Sequence, residues 1–281
     1  MLIQKGKTLS HSRILSFRKL VYQFYEKNGR DLPWRRTDDP YRILISEMML
    51  QQTQVERVLG KYELFVSRFP DIPSLASAPL KEVLHVWQGL GYNRRALALI
   101  RLAQVVREKY HGKVPTSLNE LISLPGIGPA TAGCLSAFAF RIPVVFIETN
   151  IRRVFIHHFF KDRADISDKE IIPLVEATLD RKNPRDWYYA LMDYGSGLGR
   201  TVENPNRRSS HYSRQSSFEG SDRKIRGMIL KHLTNTESLQ EEQICQIAGS
   251  EPQRVHRILI DLVNEGFLSK DANSFTLSGK T

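Results

Sequence analysis

The stretch Leu124–Val154 reads LPGIGPATAGCLSAFAFRIPVVFIETNIRRV and decides the fold. Its opening Leu-Pro-Gly-Ile-Gly predicts a tight turn between two helices, because Gly126 and Gly128 can adopt positive φ and leave their backbone exposed. Pro129 suits the first turn of a following helix. Backbone amides at such a helix N-terminus bind phosphate without any side chain. A glycine-rich turn is common in ordinary helix-loop-helix pairs, so its meaning depends on the rest of the chain.

Two glutamates, Glu47 and Glu148, are candidate catalytic carboxylates. After Pro143 an apolar run delivers Glu148 and then Asn150, just before a basic amphipathic helix that we predict from Ile151. Glu47 lies among the apolar residues of a helix that we predict to start at Asp39-Pro40. A carboxyl group in an apolar setting is paired, exposed, or held at a raised pKa for proton transfer.

The composition indicates a basic protein with a polyanionic partner. The chain has 281 residues and a formal net charge of +11, an excess that favours nucleic acid, although a merely basic protein would share it. No apolar run is long enough to span a membrane, and no signal peptide is apparent, so we expect a cytoplasmic, nucleoid-associated protein. We also expect it to act as a monomer on duplex DNA. Cys134 and Cys245 lie far apart in helical contexts and predict buried thiols in a reducing compartment. The sequence contains no cluster of Cys or His residues, so we do not predict a metal site.

The hydrophobic periodicity divides the chain into three segments. Residues 1–198 show helical spacing with almost no strand alternation, which predicts an all-α domain. Residues 199–222 are rich in Gly, Ser, Asn and Arg and predict a basic loop that follows a phosphate backbone through Arg207, Arg208 and Arg214. A solvated, disordered linker is the alternative for its middle part.

Residues 223–281 predict a small winged-helix domain. Three helices are followed by a short hairpin, which is the order of that fold. Its third helix would present four polar side chains to a major groove, namely Gln253, Arg254, His256 and Arg257. A winged helix that binds protein instead of DNA is the alternative, since fold does not fix function.

Together these features resemble the helix-hairpin-helix DNA glycosylase superfamily, and within it the MutY family of adenine glycosylases, over roughly residues 14–200. The matching motifs are Leu32-Pro33-Trp34-Arg35, Ser46 to Val55, Trp87 to Tyr92, Leu124 to Gly128, Asn150 to Val154 and Leu191 to Gly195. The resemblance implies an all-α, two-lobed fold and the removal of a flipped base from duplex DNA.

The resemblance also assigns roles to the carboxylates. Glu47 matches the family's catalytic Glu, which protonates the leaving adenine. Glu148 stands where the superfamily has an Asp that stabilises the sugar cation, and it is one methylene longer. Asn150 resembles the Asn that orients the catalytic water. Alanine at position 130 replaces the lysine with which endonuclease III-like members form a Schiff base, so we expect little or no lyase activity.

Further residues match positions that hold the base or its opposite partner. These are Trp34, Arg35, Gln51, Gln52, Tyr92 and Asp193. The chain departs from the family in two regions. The four cysteines that hold an iron–sulfur cluster in relatives are missing after the Met192-Asp193 helix, which predicts that the cluster is absent. The winged-helix-like segment replaces the Nudix-like domain that recognises 8-oxoguanine in the family.

Three functional hypotheses follow. The first is a monofunctional glycosylase that excises adenine mispaired with guanine or 8-oxoguanine. The second is a mismatch glycosylase for thymine, uracil or another deaminated base, since Arg30 to Tyr41 also resembles the thymine glycosylases of this superfamily. The third is a catalytically weak DNA-binding protein, in which Glu148 has impaired the chemistry and the C-terminal segment finds a partner.

Overall fold

The computed structural model describes residues 9–215 and 217–279. This part of the chain forms two compact units, each assembled from separate segments. The first unit comprises the described residues of Met1–Ile43 together with Thr116–Ile122 and Ile127–Arg214. The second comprises Leu44–Pro115, Ser123–Gly126 and the described residues of Gln215–Thr281. The domain boundaries at residues 198 and 222 remain a sequence-based prediction.

Helices dominate both units, as the helical spacing predicts. Along the described residues they are α1 His11–Asn28, α2 Pro40–Leu50, α3 Val55–Arg68, α4 Ile72–Ala76, α5 Leu80–Trp87, α6 Arg94–Lys109, α7 Leu118–Ser123, α8 Pro129–Phe138, α9 Thr149–Phe159, α10 Asp168–Thr178, α11 Pro184–Thr201, α12 Asp222–Asn235, α13 Glu241–Ala248 and α14 Pro252–Asn264. Pro33–Arg35 and Pro205–Arg208 form single 3₁₀ turns. In the described part of the chain, no helix has both the length and the apolarity to cross a membrane.

The core of the first unit is an aromatic cluster that α1, α9 and α11 share. The Phe17 ring lies 5.5 Å from Phe155, 5.2 Å from Phe159 and 6.0 Å from Trp187, measured between ring centroids. Tilted and edge-on pairs of this kind stabilise a core beyond their buried area. The cluster fixes α9 against its neighbours, and α9 carries Asn150 in its first turn.

The core of the second unit lies around α2. Four of its side chains, Leu44, Ile45, Met48 and Met49, are fully buried. Helices α3 and α5 add a second layer, in which Phe65 lies edge-on to Trp87 at 5.9 Å. A helix that is apolar on most faces is a buried helix. The position of α2 is therefore set by packing on several sides.

The C-terminal segment has the element order that the sequence predicts, with one addition. Helices α12 to α14 precede the strands β2 Leu268–Asp271 and β3 Ser274–Leu277, and a two-residue strand β1 Leu239–Gln240 joins them in the antiparallel order β1-β3-β2. The sequence did not predict β1, because two residues carry no alternation. The assignment of this segment as a winged helix remains a prediction.

The C-terminal segment packs on α5 and α6 within the second unit. The Glu265 carboxylate accepts hydrogen bonds from Arg94 at 2.6 and 2.9 Å, and its backbone carbonyl accepts one from Arg101 at 2.8 Å. The Gln88 side chain donates to the Thr234 hydroxyl at 2.8 Å. These polar contacts fix the segment against the two helices.

Part of the predicted basic loop is ordered. Helix α11 continues to Thr201, so residues 199–201 are helical and not loop. Asn206 and Ser209 are buried, and the Ile166 amide donates to the Arg208 carbonyl at 2.9 Å. This segment makes its contacts through polar side chains and few aliphatic ones. Its composition therefore resembles that of a solvated loop.

Candidate active site

Helix α2 presents Glu47 from a buried framework. Its neighbours Ser46, Met48 and Met49 are fully buried, whereas Glu47 itself is half-buried. The Asp39 carboxylate accepts the Tyr41 amide at 2.9 Å and so starts the helix. Glu47 is thus a carboxyl group on a rigid, mainly apolar helix, with part of its surface accessible.

One buried guanidinium ties the end of α2 to the following loops. Arg95 donates through Nη1 to the carbonyls of Met48 at 2.9 Å, Met49 at 2.7 Å and Gln51 at 2.6 Å. Its Nη2 reaches the Thr53 hydroxyl at 2.9 Å. Burial lowers the pKa of Arg95 to about 10, so the group remains charged at neutral pH. Arg95 therefore caps the helix that carries Glu47.

Replacement of Arg95 by methionine should destabilise the protein by about 3 kcal/mol, because several buried carbonyls lose their donor. Urea unfolding measures this loss. Arg94→Met is the matched control, since the Arg94 side chain is 74% exposed in its ion pair with Glu265 and such pairs contribute up to about 1 kcal/mol. Equal losses in the two variants would contradict the capping role of Arg95.

The turn between α7 and α8 requires glycine at one of its two positions. Gly126 has a φ of +78°, and a Cβ there would lie 2.8 Å from Met48 Cε and 2.9 Å from Ala98 Cβ. Gly128 has a φ of −93° and caps α8 in an extended conformation, so it does not use the positive φ that glycine permits. Gly126 and Gly128 are both exposed, and Ala130 is half-buried in the first turn of α8.

Glu148 and Asn150 form one hydrogen-bonded group at the N-terminus of α9. The Glu148 carboxylate accepts the backbone amides of Asn150 at 2.7 Å and Ile151 at 2.8 Å, and the Asn150 side-chain amide at 3.1 Å. Burial raises the pKa of Glu148, although these donors and the charge of Arg153 act in the opposite direction. The arrangement holds a carboxylate and an amide side by side at a positive helix end.

Two of the predicted base-contacting residues of the first unit, Arg35 and Asp193, take part in a buried ion cluster. Asp193 is 3% exposed and accepts hydrogen bonds from Arg35 at 2.8 Å and from Arg30 at 2.7 Å. Burial alone would raise the pKa of Asp193, but Arg35 and Arg30 outweigh it and lower that pKa. Trp34 is 2% exposed. These contacts give Arg35 and Asp193 a structural role, whether or not they also contact a base.

The predicted opposite-base residues lie near two strained turns of the second unit. Gln51 donates to the Gly126 carbonyl at 3.2 Å, which links α2 to the turn after α7. Gln52 and Tyr92 adopt positive φ values of 54° and 50°, conformations that non-glycine residues rarely take. The Tyr92 hydroxyl contacts Gln215. Backbone strain of this kind gathers at functional sites.

The predicted DNA-backbone arginines differ in their surroundings. Arg214 and Arg207 are exposed, and Arg207 pairs with Glu203 at 3.0 Å. Arg208 is half-buried, and its guanidinium donates to the carbonyls of Phe160 and Lys161 at the end of α9. Arg208 thus has an intramolecular role that the sequence did not suggest.

The side chains that we predicted for a major groove are engaged within the C-terminal segment. Arg254 and Arg257 of α14 each donate to the Asp222 carboxylate at 2.8 Å. His256 pairs with Glu241, also at 2.8 Å. Gln253 is exposed. Binding of α14 to DNA would therefore have to exchange these surface ion pairs for phosphate contacts.

The donor set does not fit an iron–sulfur cluster. Segment 199–214 has no cysteine, and the chain's two cysteines lie in α8 and α13. Such clusters are held by Cys thiolates. Among residues 9–215 and 217–279, no three His, Cys, Asp or Glu side chains form a group that could hold a metal ion.

Sequence reasoning missed the residues that hold the site in place. Arg95, Arg153, Asn206 and Arg208 all bond to carbonyls more than forty residues away in the chain. A basic or amide residue in a Gly-rich or Asn-rich stretch looks like a surface residue. Arg95 lies three residues after the matching motif Trp87 to Tyr92, which was the one available signal for it.

Comparison with protein families supports the resemblance drawn from the motifs. The profile of the "HhH-GPD superfamily base excision DNA repair protein" matches residues 45–177. The chain is 32% identical to an adenine DNA glycosylase of Mycolicibacterium smegmatis over 92% of this chain and 95% of the relative. It is 37% identical to an adenine DNA glycosylase of Buchnera aphidicola over 65% of this chain, and there it spans about half of the relative, 52%.

Solved structures give the same fold. A thermostable thymine-DNA glycosylase matches with a TM-score of 0.58 and 28% identity, covering 65% of this chain and 86% of that one. An endonuclease III in a covalent complex with DNA matches with a TM-score of 0.53 and 21% identity, covering 75% and 92% respectively, which is evidence for the fold alone.

Proposed function

Since the chain belongs to the HhH-GPD superfamily and, within it, to the adenine DNA glycosylase family, we propose that it is a monofunctional base-excision-repair glycosylase. Its substrate would be adenine mispaired with guanine or 8-oxoguanine in duplex DNA. The main structural support for hydrolysis of the bond between base and sugar is the Glu148 carboxylate, which is held beside Asn150 at the N-terminus of α9. The choice of adenine rests on the named relatives and on Glu47.

The proposed reaction exchanges one bond for another. Glu47 donates a proton to the flipped adenine, which weakens the bond between the base and C1′. The ionised Glu148 stabilises the positive charge that develops on the sugar. A water molecule oriented by Asn150 forms the new C1′–O bond, and its proton passes to a carboxylate. The products are free adenine and an intact strand with an abasic site.

The remaining predicted residues would bind the DNA. Gly126 and Gly128 are exposed residues, and their backbone amides and those of the first turn of α8 would bind a backbone phosphate. Gln51, Gln52 and Tyr92 would contact the opposite base, and the exposed Arg214 and Arg207 a neighbouring phosphate. Ala130 supplies no amine for a Schiff base, so abasic strands should stay uncut. We expect a monomer on duplex DNA, in the compartment that holds the chromosome.

A second candidate function has a specific observation in its favour. The chain shares 28% identity with a solved thymine-DNA glycosylase over 65% of its length. Under this alternative the same Glu148 and Asn150 would act on thymine or uracil opposite guanine. Under the third hypothesis, a catalytically weak DNA-binding protein, no base would be released.

Single-turnover base release separates these possibilities. Labelled duplexes would carry A opposite G, A opposite 8-oxoguanine, T opposite G, U opposite G and hypoxanthine opposite T, with alkali added to cut abasic sites. We expect cleavage at the two adenine substrates. Cleavage only at T, U or hypoxanthine would show that the substrate is a deaminated or mismatched base and not adenine. DNA binding without any cleavage would support the hypothesis of a catalytically weak DNA-binding protein.

A further inference from the structure

The first turn of α9 carries the two groups on which the proposed chemistry depends. Asn150 lies in that turn, and the Glu148 carboxylate caps it through the Asn150 and Ile151 amides. A shift of this turn would move both groups together. The contacts that fix the turn therefore bear on the geometry of the reaction.

Residues Asn204–Arg208, here called the brace, contact the N-terminal end of α9. The Asn206 side-chain amide donates to the Thr149 carbonyl at 3.0 Å. The Asn204 side-chain oxygen accepts Arg153 Nε at 3.3 Å and the Asn206 amide at 3.2 Å. Asn206 is 6% exposed, so its bond to Thr149 is shielded from water.

Arg153 connects the brace to Asn150. Its Nη1 donates to the Asn150 side-chain oxygen at 3.0 Å and to the Gly195 carbonyl at 2.8 Å. The Asn150 side-chain nitrogen in turn donates to Glu148 at 3.1 Å. A continuous series of hydrogen bonds thus runs from Asn204 through Arg153 and Asn150 to the Glu148 carboxylate.

The brace also holds the other end of the helix. Arg208 donates to the Phe160 and Lys161 carbonyls and, at 3.4 Å, to the Ile156 carbonyl. These carbonyls belong to the last turn of α9 or follow it. Those of Ile156 and Phe160 also accept the backbone amides of Phe160 and Arg163, so Arg208 adds a further donor at this end of the helix. One short segment therefore contacts both ends of a helix of eleven residues.

We propose that the brace positions Glu148 and Asn150 for base hydrolysis, with Asn204 and Asn206 as positioning residues that never touch the substrate. This inference rests on the proposed function for its catalytic readout. It predicts that Asn204 and Asn206 control the rate of the chemical step and do not contribute to DNA affinity.

Asn204→Ala removes the acceptor for Arg153, whereas Asn204→Asp keeps an oxygen in its place. We expect single-turnover base release at saturating enzyme to fall about 10-fold in Asn204→Ala and to recover in Asn204→Asp. The DNA dissociation constant should stay within about 2-fold of the wild-type value in both variants, because Asn204 is not one of the residues that we propose to contact DNA. Asn28→Ala is the matched control, because Asn28 is an exposed asparagine at the end of α1 in the same unit, and its release rate should equal that of the wild type.

Amide hydrogen exchange tests the brace without relying on catalysis. In Asn204→Ala the amides of Asn150 and Ile151, which Glu148 accepts in the wild type, should exchange faster. Exchange that stays at the wild-type rate in a folded Asn204→Ala protein would overturn the brace. If the wild-type protein released no base, faster exchange would still support the brace while the proposed function failed.

Discussion

Glu47→Gln is expected to lower adenine release by about 10³-fold, the contribution typical of a well-placed general acid. Glutamine has the same length and volume as glutamate, so the buried packing of α2 around Met48 and Met49 should persist. It has no acidic proton to give to the leaving base. Single-turnover release from A opposite G would measure the loss, and a gel-shift assay on the same duplex should show binding within about 2-fold of wild type.

The control for this variant is Glu63→Gln, an exposed acid on α3 of the same unit. It removes the same charge without touching α2, so its release rate should match the wild type. If Glu47→Gln also kept the wild-type rate, Glu47 would not be the general acid, and the assignment of the reaction to α2 would be wrong.

Glu148→Gln is expected to lower base release by about 10²-fold to 10³-fold, because a neutral side chain cannot stabilise the developing sugar cation. The glutamine oxygen can still accept the Asn150 and Ile151 amides, so the cap of α9 should survive. Glu148→Asp keeps the charge, restores the residue type of the superfamily, and should retain more activity than the glutamine variant. Equal rates for the two variants would show that the charge at this position is unimportant.

The raised pKa of Glu148 also predicts how the Glu148→Gln substitution changes thermal stability. Burial makes the ionised carboxylate less favourable in the folded protein than in the unfolded chain, so ionisation costs folding stability above the unfolded-state pKa. The neutral Glu148→Gln protein should therefore unfold at a temperature no lower than the wild type at neutral pH. A large fall in thermal midpoint would mean that the charged cap stabilises α9 more than burial opposes it.

The same shift predicts the acid side of the pH–rate profile. Catalysis requires the ionised Glu148, so activity should be present above its pKa and fall as the pH drops through that value. Because the pKa is raised, the fall should begin at a higher pH than for an ordinary glutamate. In Glu148→Gln this limb of the profile should disappear from the residual activity.

Local sequence signals were enough to predict most helices and both strands of the C-terminal hairpin. Pro129 and the glycines before it mark the start of α8, and the apolar periodicity marks α2. The reason is that helix caps, turns and amphipathic faces are encoded within a few residues. Strand β1 was missed because it exists only through its pairing with β3.

The candidate site was predicted less completely, for a related reason. Motifs mark Glu47, Glu148 and Asn150, so the sequence could propose them as catalytic residues. Arg95 and the brace act on carbonyls that lie far away in the chain, and hydrogen bonds from polar side chains to distant backbone leave no periodic trace. The sequence also could not tell which glycine of the turn uses positive φ, because glycine permits that conformation without requiring it, and Gly126 adopts it whereas Gly128 does not.

The most direct test of the account is to identify the product released from a duplex with A opposite G. Liquid chromatography with mass detection would measure free adenine, and a denaturing gel would show the strand before and after alkali. We expect one equivalent of adenine for each strand that alkali cuts, and an intact strand without alkali. Strand cleavage without alkali, or a reaction that yields no free adenine, would contradict a monofunctional adenine glycosylase.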